Sequence, residues 1–137
     1  MVREDRMATD GRAEIVRKMW TAWCAGDVET ALANMSDSIT WTIPGNRDVS
    51  GSRQGKAAMR KLFGDVHGMF PQGLKIDFHQ LHTTDRSVIA EMTIHGPANN
   101  GKHYKNEYCI VFDIAGDKIE HGRVYVDMTE AAAVFDT

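Results

Sequence analysis

Residues 102–127, KHYKNEYCIVFDIAGDKIEHGRVYVD, constrain the fold of this chain more than any other stretch. Two strand-like runs, 104–114 and 118–127, flank a short turn at 115–117. Successive side chains of a strand point to opposite faces, so Arg123, Tyr125 and Asp127 at even spacing share one face. A guanidinium, a phenol and a carboxylate together on one face of a sheet point to a lined pocket rather than to plain packing.

At 137 residues the chain is long enough for a single domain with a sizeable core. A hydrophobic fraction of 42% and a charged fraction of 26% are ordinary for a soluble globular protein. The formal net charge is −3 and no basic block stands out, so neither nucleic acid nor an anionic membrane is an expected partner. Two cysteines, Cys24 and Cys109, cannot make a disulfide framework, and a reducing, cytoplasmic setting is expected. No apolar run approaches the roughly 18 residues of a membrane span. The first residues, MVREDRMATDGR, lack the apolar stretch of a signal peptide. Residues 1–11 read as a flexible lead and 12–137 as one domain.

Helices come first and strands follow. Asp10 is placed to cap a helix over about 12–25, with Ile15, Met19, Ala22 and Trp23 on its apolar face. Gly26 stops it, and Asp27 caps a second helix through Met35. Residues 39–43 form a short strand ended by Pro44-Gly45, and 46–53 read as a loop. A third helix spans about 54–69, with Ala58, Leu62, Phe63 and Val66 inward. Strands at 74–81 and 87–95 precede the two already named, and Thr129 can cap a last helix over 130–135. The order predicts an α+β fold: helices on one face of a curved, mostly antiparallel sheet, with a conical cavity between them.

The segments AWCAGDVETALANMSDSITWTIPG, GKAAMRKLF and YCIVFDIAGDKIEHGRVYVD, in this order and spacing, resemble the nuclear transport factor 2-like superfamily, and within it the SnoaL-like and ketosteroid isomerase-like branch. The resemblance runs from about Ala13 to Phe135. It implies a cone-shaped fold with a central pocket, and frequently a homodimer formed through the sheet. The three polar positions of the steroid isomerases fall at Ile43, Met19 and Tyr108, none of them the family's residue. Of the five positions of limonene-epoxide-hydrolase-like enzymes, only Asp127 is kept. Glu91, Thr93, Trp41 and Ile43 stand at the others. The SnoaL-like cyclase type remains, in which an aspartate late in the sheet and a nearby histidine do acid/base work.

By this resemblance and strand parity, Asp127, Tyr125 and Arg123 face the cavity. The third strand sends Glu91, Thr93 and His95 inward, the fourth Tyr104, Asn106, Tyr108 and Ile110, and the first Trp41 and Ile43. Asp127, His95 and Tyr108 are the candidate catalytic groups, an aspartate base, a histidine acid/base partner and a phenol donor. Tyr108 and Asn106 orient a substrate oxygen, and Trp41, Ile43, Ile110, Leu62, Phe63 and Met69 form apolar walls. Each group has a plainer reading. Asp127 can cap the last helix, and Glu91 and Arg123 can form an ion pair across the sheet. His79 and His82 lie on opposite faces of a strand, and no set of ligands has metal spacing, so no metal or other cofactor is expected. The expected activity is cofactor-independent acid/base chemistry beside a carbonyl, namely cyclisation, isomerisation or elimination, on a small hydrophobic and cyclic molecule. A ligand-binding protein without turnover, or an epoxide hydrolase, are the alternatives.

Overall fold

A computed structural model describes residues 2–47 and 49–135, with 2–10 as backbone only. Helix α1 (Val2–Ala25) and the short α2 (Val28–Ala33) lead into strand β1 (Met35–Ile43). Strand β2 (Gly51–Gln54), helix α3 (Lys56–Met69), strands β3 (Lys75–Thr83), β4 (Ser87–Pro97), β5 (His103–Ala115) and β6 (Lys118–Val126), and helix α4 (Met128–Phe135) follow. The six strands form one curved, unclosed sheet in the order β2-β1-β6-β5-β4-β3. Every neighbouring pair is antiparallel except β1 and β6, which run parallel. This is the α+β cone expected from the order of elements. No described helix is long and apolar enough to cross a membrane.

Several local expectations are corrected. Helix α1 begins ahead of Asp10, which therefore lies inside the helix rather than at its cap. Strand β1 starts four residues earlier than the ITWTI run, at Met35. The polar stretch read as loop holds β2, whose Arg53 pairs with Trp41; a short strand of polar residues carries no apolar alternation to betray it. Asp27 does cap α2, accepting a hydrogen bond from the Thr30 amide at 3.2 Å. The cap of α4 is Asp127 rather than Thr129. Its Oδ1 accepts from the Thr129 amide at 2.9 Å and from the Glu130 amide at 3.4 Å.

The core lies between the inner face of the sheet and helix α1. Val16, Met19, Trp20 and Trp23 of α1 meet Ile39 and Trp41 of β1, Met92 and Ile94 of β4, Ile110 and Phe112 of β5, and Val124 of β6. Trp41 stacks on Trp20 with ring centroids 5.6 Å apart and lies 6.4 Å from Trp23. Its six-membered ring covers Gly122 so closely that a Cβ there would sit 2.1 Å from it.

Candidate functional site

Which face of β6 looks inward is decided by one residue. The hairpin closes with Ala115 opposite Lys118 and Ile114 opposite Ile119, but Asp113 then pairs with His121. Glu120 is thus an extra residue on β6, a bulge. A one-residue shift turns every later side chain to the other face. Without the bulge, Tyr108 would stand opposite Tyr125 and Ile110 opposite Arg123, the shared polar face that strand parity suggested. With it, Tyr108 stands opposite Val126 and Ile110 opposite Val124. Directly opposed residues share a face, so the valines go inside.

Three of the proposed inward groups on this strand are therefore displaced. Arg123 lies on the outer face and makes two hydrogen bonds to Asp113, at 2.7 and 3.1 Å. This pairing holds the Asp113 carboxyl below its ordinary pKa. Tyr125 is 49% exposed. Asp127 is exposed and spends its carboxylate on the α4 cap, so it is not a base at a pocket floor. On β4 the regular pairing with β5 puts Met92 opposite Tyr108 and Ile94 opposite Asn106, and sends the alternate set outward. Glu91 meets His82 at 2.6 Å. Thr93 is buried, but on the outer side, 2.6 Å from His79 and donating to Glu107 at 2.6 Å. His95 lies 3.6 Å from Asp77. None of these reaches the cone, and the physical reason is common to them. Polar groups that find partners or water outside cost less there than in an apolar interior.

The inner face carries a cavity of about 60 Å³. Trp20, Trp23 and Cys24 of α1, Trp41 and Ile43 of β1, and Leu62 of α3 line it together with Ile94, Tyr108, Val124 and Val126 of the sheet and Ala131 and Phe135 of α4. An open recess of about 340 Å³ shares Val49, Leu62, Val66 and Phe135 with it and adds Arg53, Asp65 and Met69. The two form one funnel between α3, the segment before β2, and α4. Of the residues the sequence singled out, Trp41, Ile43, Leu62 and Tyr108 line the cavity and Met69 lines the recess. Ile110 is buried in the core rather than at the cavity surface, and Phe63 packs edge-on against Trp23 at 5.2 Å. Burial pushes the Cys24 thiol well up, so it is an inert wall rather than a nucleophile.

One polar chain enters this apolar interior from β5. The hydroxyls of Tyr104 and Tyr108 lie 2.6 Å apart. Asn106 Nδ2 donates to Tyr104 Oη at 3.0 Å and to the Asp127 carbonyl at 2.9 Å. Tyr104 Oη accepts from Asn106, and either phenol can donate in the Tyr104–Tyr108 bond; when Tyr104 is the donor, the Tyr108 proton is free for the cavity. Burial raises the pKa of Tyr104, and burial followed by the neighbouring Tyr104 raises that of Tyr108. Both remain protonated donors at neutral pH. The sequence reading missed Trp20, Val124, Val126, Phe135 and Arg53. Trp20 was legible as the helical neighbour of Val16 and Trp23, whereas the valines needed the bulge. Among the described residues no group of three or more His, Cys, Asp or Glu is placed to hold a metal ion.

Residues 16–122 match the SnoaL-like domain family. Among solved structures, Bal32a from a soil-derived mobile gene cassette is similar at a TM-score of 0.83 and 23% identity, over 93% of this chain and 98% of its own. TerC, co-crystallized with polyporic acid, is similar at 0.79 and 14% identity, over 93% of this chain and 99% of its own. A putative SnoaL-like polyketide cyclase from Jannaschia sp. CCS1 is similar at 0.78 and 11% identity, over 94% of each chain. No curated protein matches the chain.

Proposed function

Since the chain belongs to the SnoaL-like domain family, we propose that it binds a small, largely apolar, ring-containing molecule in the tryptophan-lined funnel and holds one of its oxygens through the Tyr108 phenol. The observation that carries this reading is the Asn106–Tyr104–Tyr108 chain, which brings one phenol to a wall otherwise built of largely apolar groups. A mostly apolar concavity with a few convergent polar groups is the usual form of a small-molecule site. Trp20 adds a second donor: it lines the same cavity, and its buried Nε1–H has no acceptor within the described protein. Co-crystallization of the similar TerC with polyporic acid supports a small-molecule use of the same fold.

All three tryptophans of the chain line the cavity, so their fluorescence reports occupancy directly. Titration with 2-tetralone, a neutral bicyclic ketone, should change that emission saturably. Tyr108→Phe should weaken binding by about tenfold, the loss of one hydrogen bond worth about 1–1.5 kcal/mol. An emission indifferent to tetralone, or a Phe variant that binds as well as the parent, defeats the reading.

Catalysis by the same donor is the second reading. A phenol backed by a second phenol and an amide is suited to a carbonyl oxygen that gains charge as an adjacent proton leaves. Of the residues lining cavity and recess, Asp65 is the one carboxylate. In this reading it removes the proton while Tyr108 donates to the oxygen, which gives isomerisation, cyclisation or elimination beside a carbonyl. Deuterium exchange at the carbons flanking the tetralone carbonyl, followed by NMR in heavy water, should then accelerate with the protein and fall back in Asp65→Asn. Binding without acceleration assigns the protein as a binder.

A further inference from the structure

We propose that the molecule held in the funnel is an acid: a compact apolar ring body whose outer end carries a carboxylate, read by Arg53. The inference rests on the ligand-binding reading above and names the chemical class of the ligand.

The register places Arg53 first. It pairs with Trp41 across β1 and β2, and opposed residues share a face, so it lies on the cavity side of the sheet. It contributes to the outer recess, whose walls Val49, Leu62, Val66 and Phe135 are also walls of the inner cavity. Hydrogen-bond accounting points the same way. Among the described residues, two buried side-chain nitrogen or oxygen atoms lack a partner, Trp20 Nε1 and Arg53 Nη1. Both belong to residues lining this one funnel. Unpaired buried donors are rare because each loses its hydration without compensation, and a guanidinium loses most.

Among the described residues that line the recess, the one carboxylate does not satisfy Arg53. Asp65 lines the same recess and attracts it, but desolvation is the larger influence and depresses the Arg53 pKa. The Asp65 carboxylate is instead 3.2 Å from Lys61 Nζ. A guanidinium offers a fork of donors that matches a carboxylate in two parallel hydrogen bonds. A ligand acid at the recess would supply the missing acceptor while its rings meet Leu62, Val66 and Phe135. Its inner end would face the Trp20 and Tyr108 donors. The cavity and recess together stand near the small end of ligand sites, which run from about 300 Å³ upward. That size fits one or two rings better than an extended polycycle.

The test compares 2-naphthoate with methyl 2-naphthoate, which keeps the rings and the carbonyl but removes the charge. Binding to the intact chain is measured by calorimetry. The naphthoate should bind at least tenfold more tightly than the ester. Arg53→Gln should erase that preference while ester affinity stays within about twofold. Arg53→Lys, which keeps the charge but not the fork, should retain part of the preference, and it guards against a glutamine variant that does not fold. Equal affinity for acid and ester in the parent protein, or an undiminished preference in Arg53→Gln, overturns the assignment while the tetralone result still stands for the funnel. Failure of naphthoate, ester and tetralone alike overturns both.

Discussion

Gly122 shows how one side chain's absence shapes this site. The Trp41 ring occupies the space above it, and any Cβ would fall within 2.1 Å of a ring carbon. Trp41 is almost fully buried and wedged against Trp20, so it has nowhere cheap to move. Gly122→Ala should therefore destabilise the fold by about 1–3 kcal/mol, the usual cost of overpacking a tight interior. Urea denaturation checks this, with an unchanged midpoint as the contrary result. The same variant should alter tetralone binding, because Trp41 is also a wall of the cavity. Tyr108, by contrast, was placed inward by the family resemblance, in step with the alternation of Tyr104, Asn106, Tyr108 and Ile110 with Lys105, Glu107 and Cys109.

At the scale of the element, the end of β6 is where polar patterning misled. Asp127 has the residue type and the place in the chain of a catalytic carboxylate, yet its Oδ1 serves the first turn of α4. Asp127→Ala should then cost about 1 kcal/mol of stability, as lost caps do. It should leave tetralone affinity within about twofold, because the Asp127 group that touches the tyrosine chain is its backbone carbonyl. A loss of ligand binding comparable with that of Tyr108→Phe would restore the carboxylate to the site. Helix α4 matters here as a closing element, since Ala131 and Phe135 form part of the funnel wall. A last helix over 130–135 was legible in the sequence, but not that it would form part of the funnel wall.

Over the whole molecule, two buried phenols link the site to stability. Both have raised pKa values, chiefly through burial, so they stay neutral in the folded protein at a pH where the unfolded chain ionises them. Stability should hold up to the unfolded tyrosine value of about 10 and then fall as pH rises beyond it, because the unfolded state alone gains by releasing protons. Replacing Tyr104 and Tyr108 together by Phe should flatten this alkaline limb in thermal melts between about pH 9 and 11. A limb as steep as the parent's would show that the phenols are not its source.

The alternation of β4 and β5, the apolar faces of α1 and α3, and the order of helices and strands specified the cone before any coordinates, because burial of apolar area acts on pattern and each pattern had one good partner surface. That pattern also marked Trp41, Leu62 and Tyr108 as funnel residues. Pairing register decided the rest. The extra residue at Glu120 inverted the faces of β6, the regular β4–β5 register turned Glu91, Thr93 and His95 outward, and β2 brought Arg53 beside Trp41. A period-two strand reads equally well either way up, so only the contacts between distant strands could choose which face is wet.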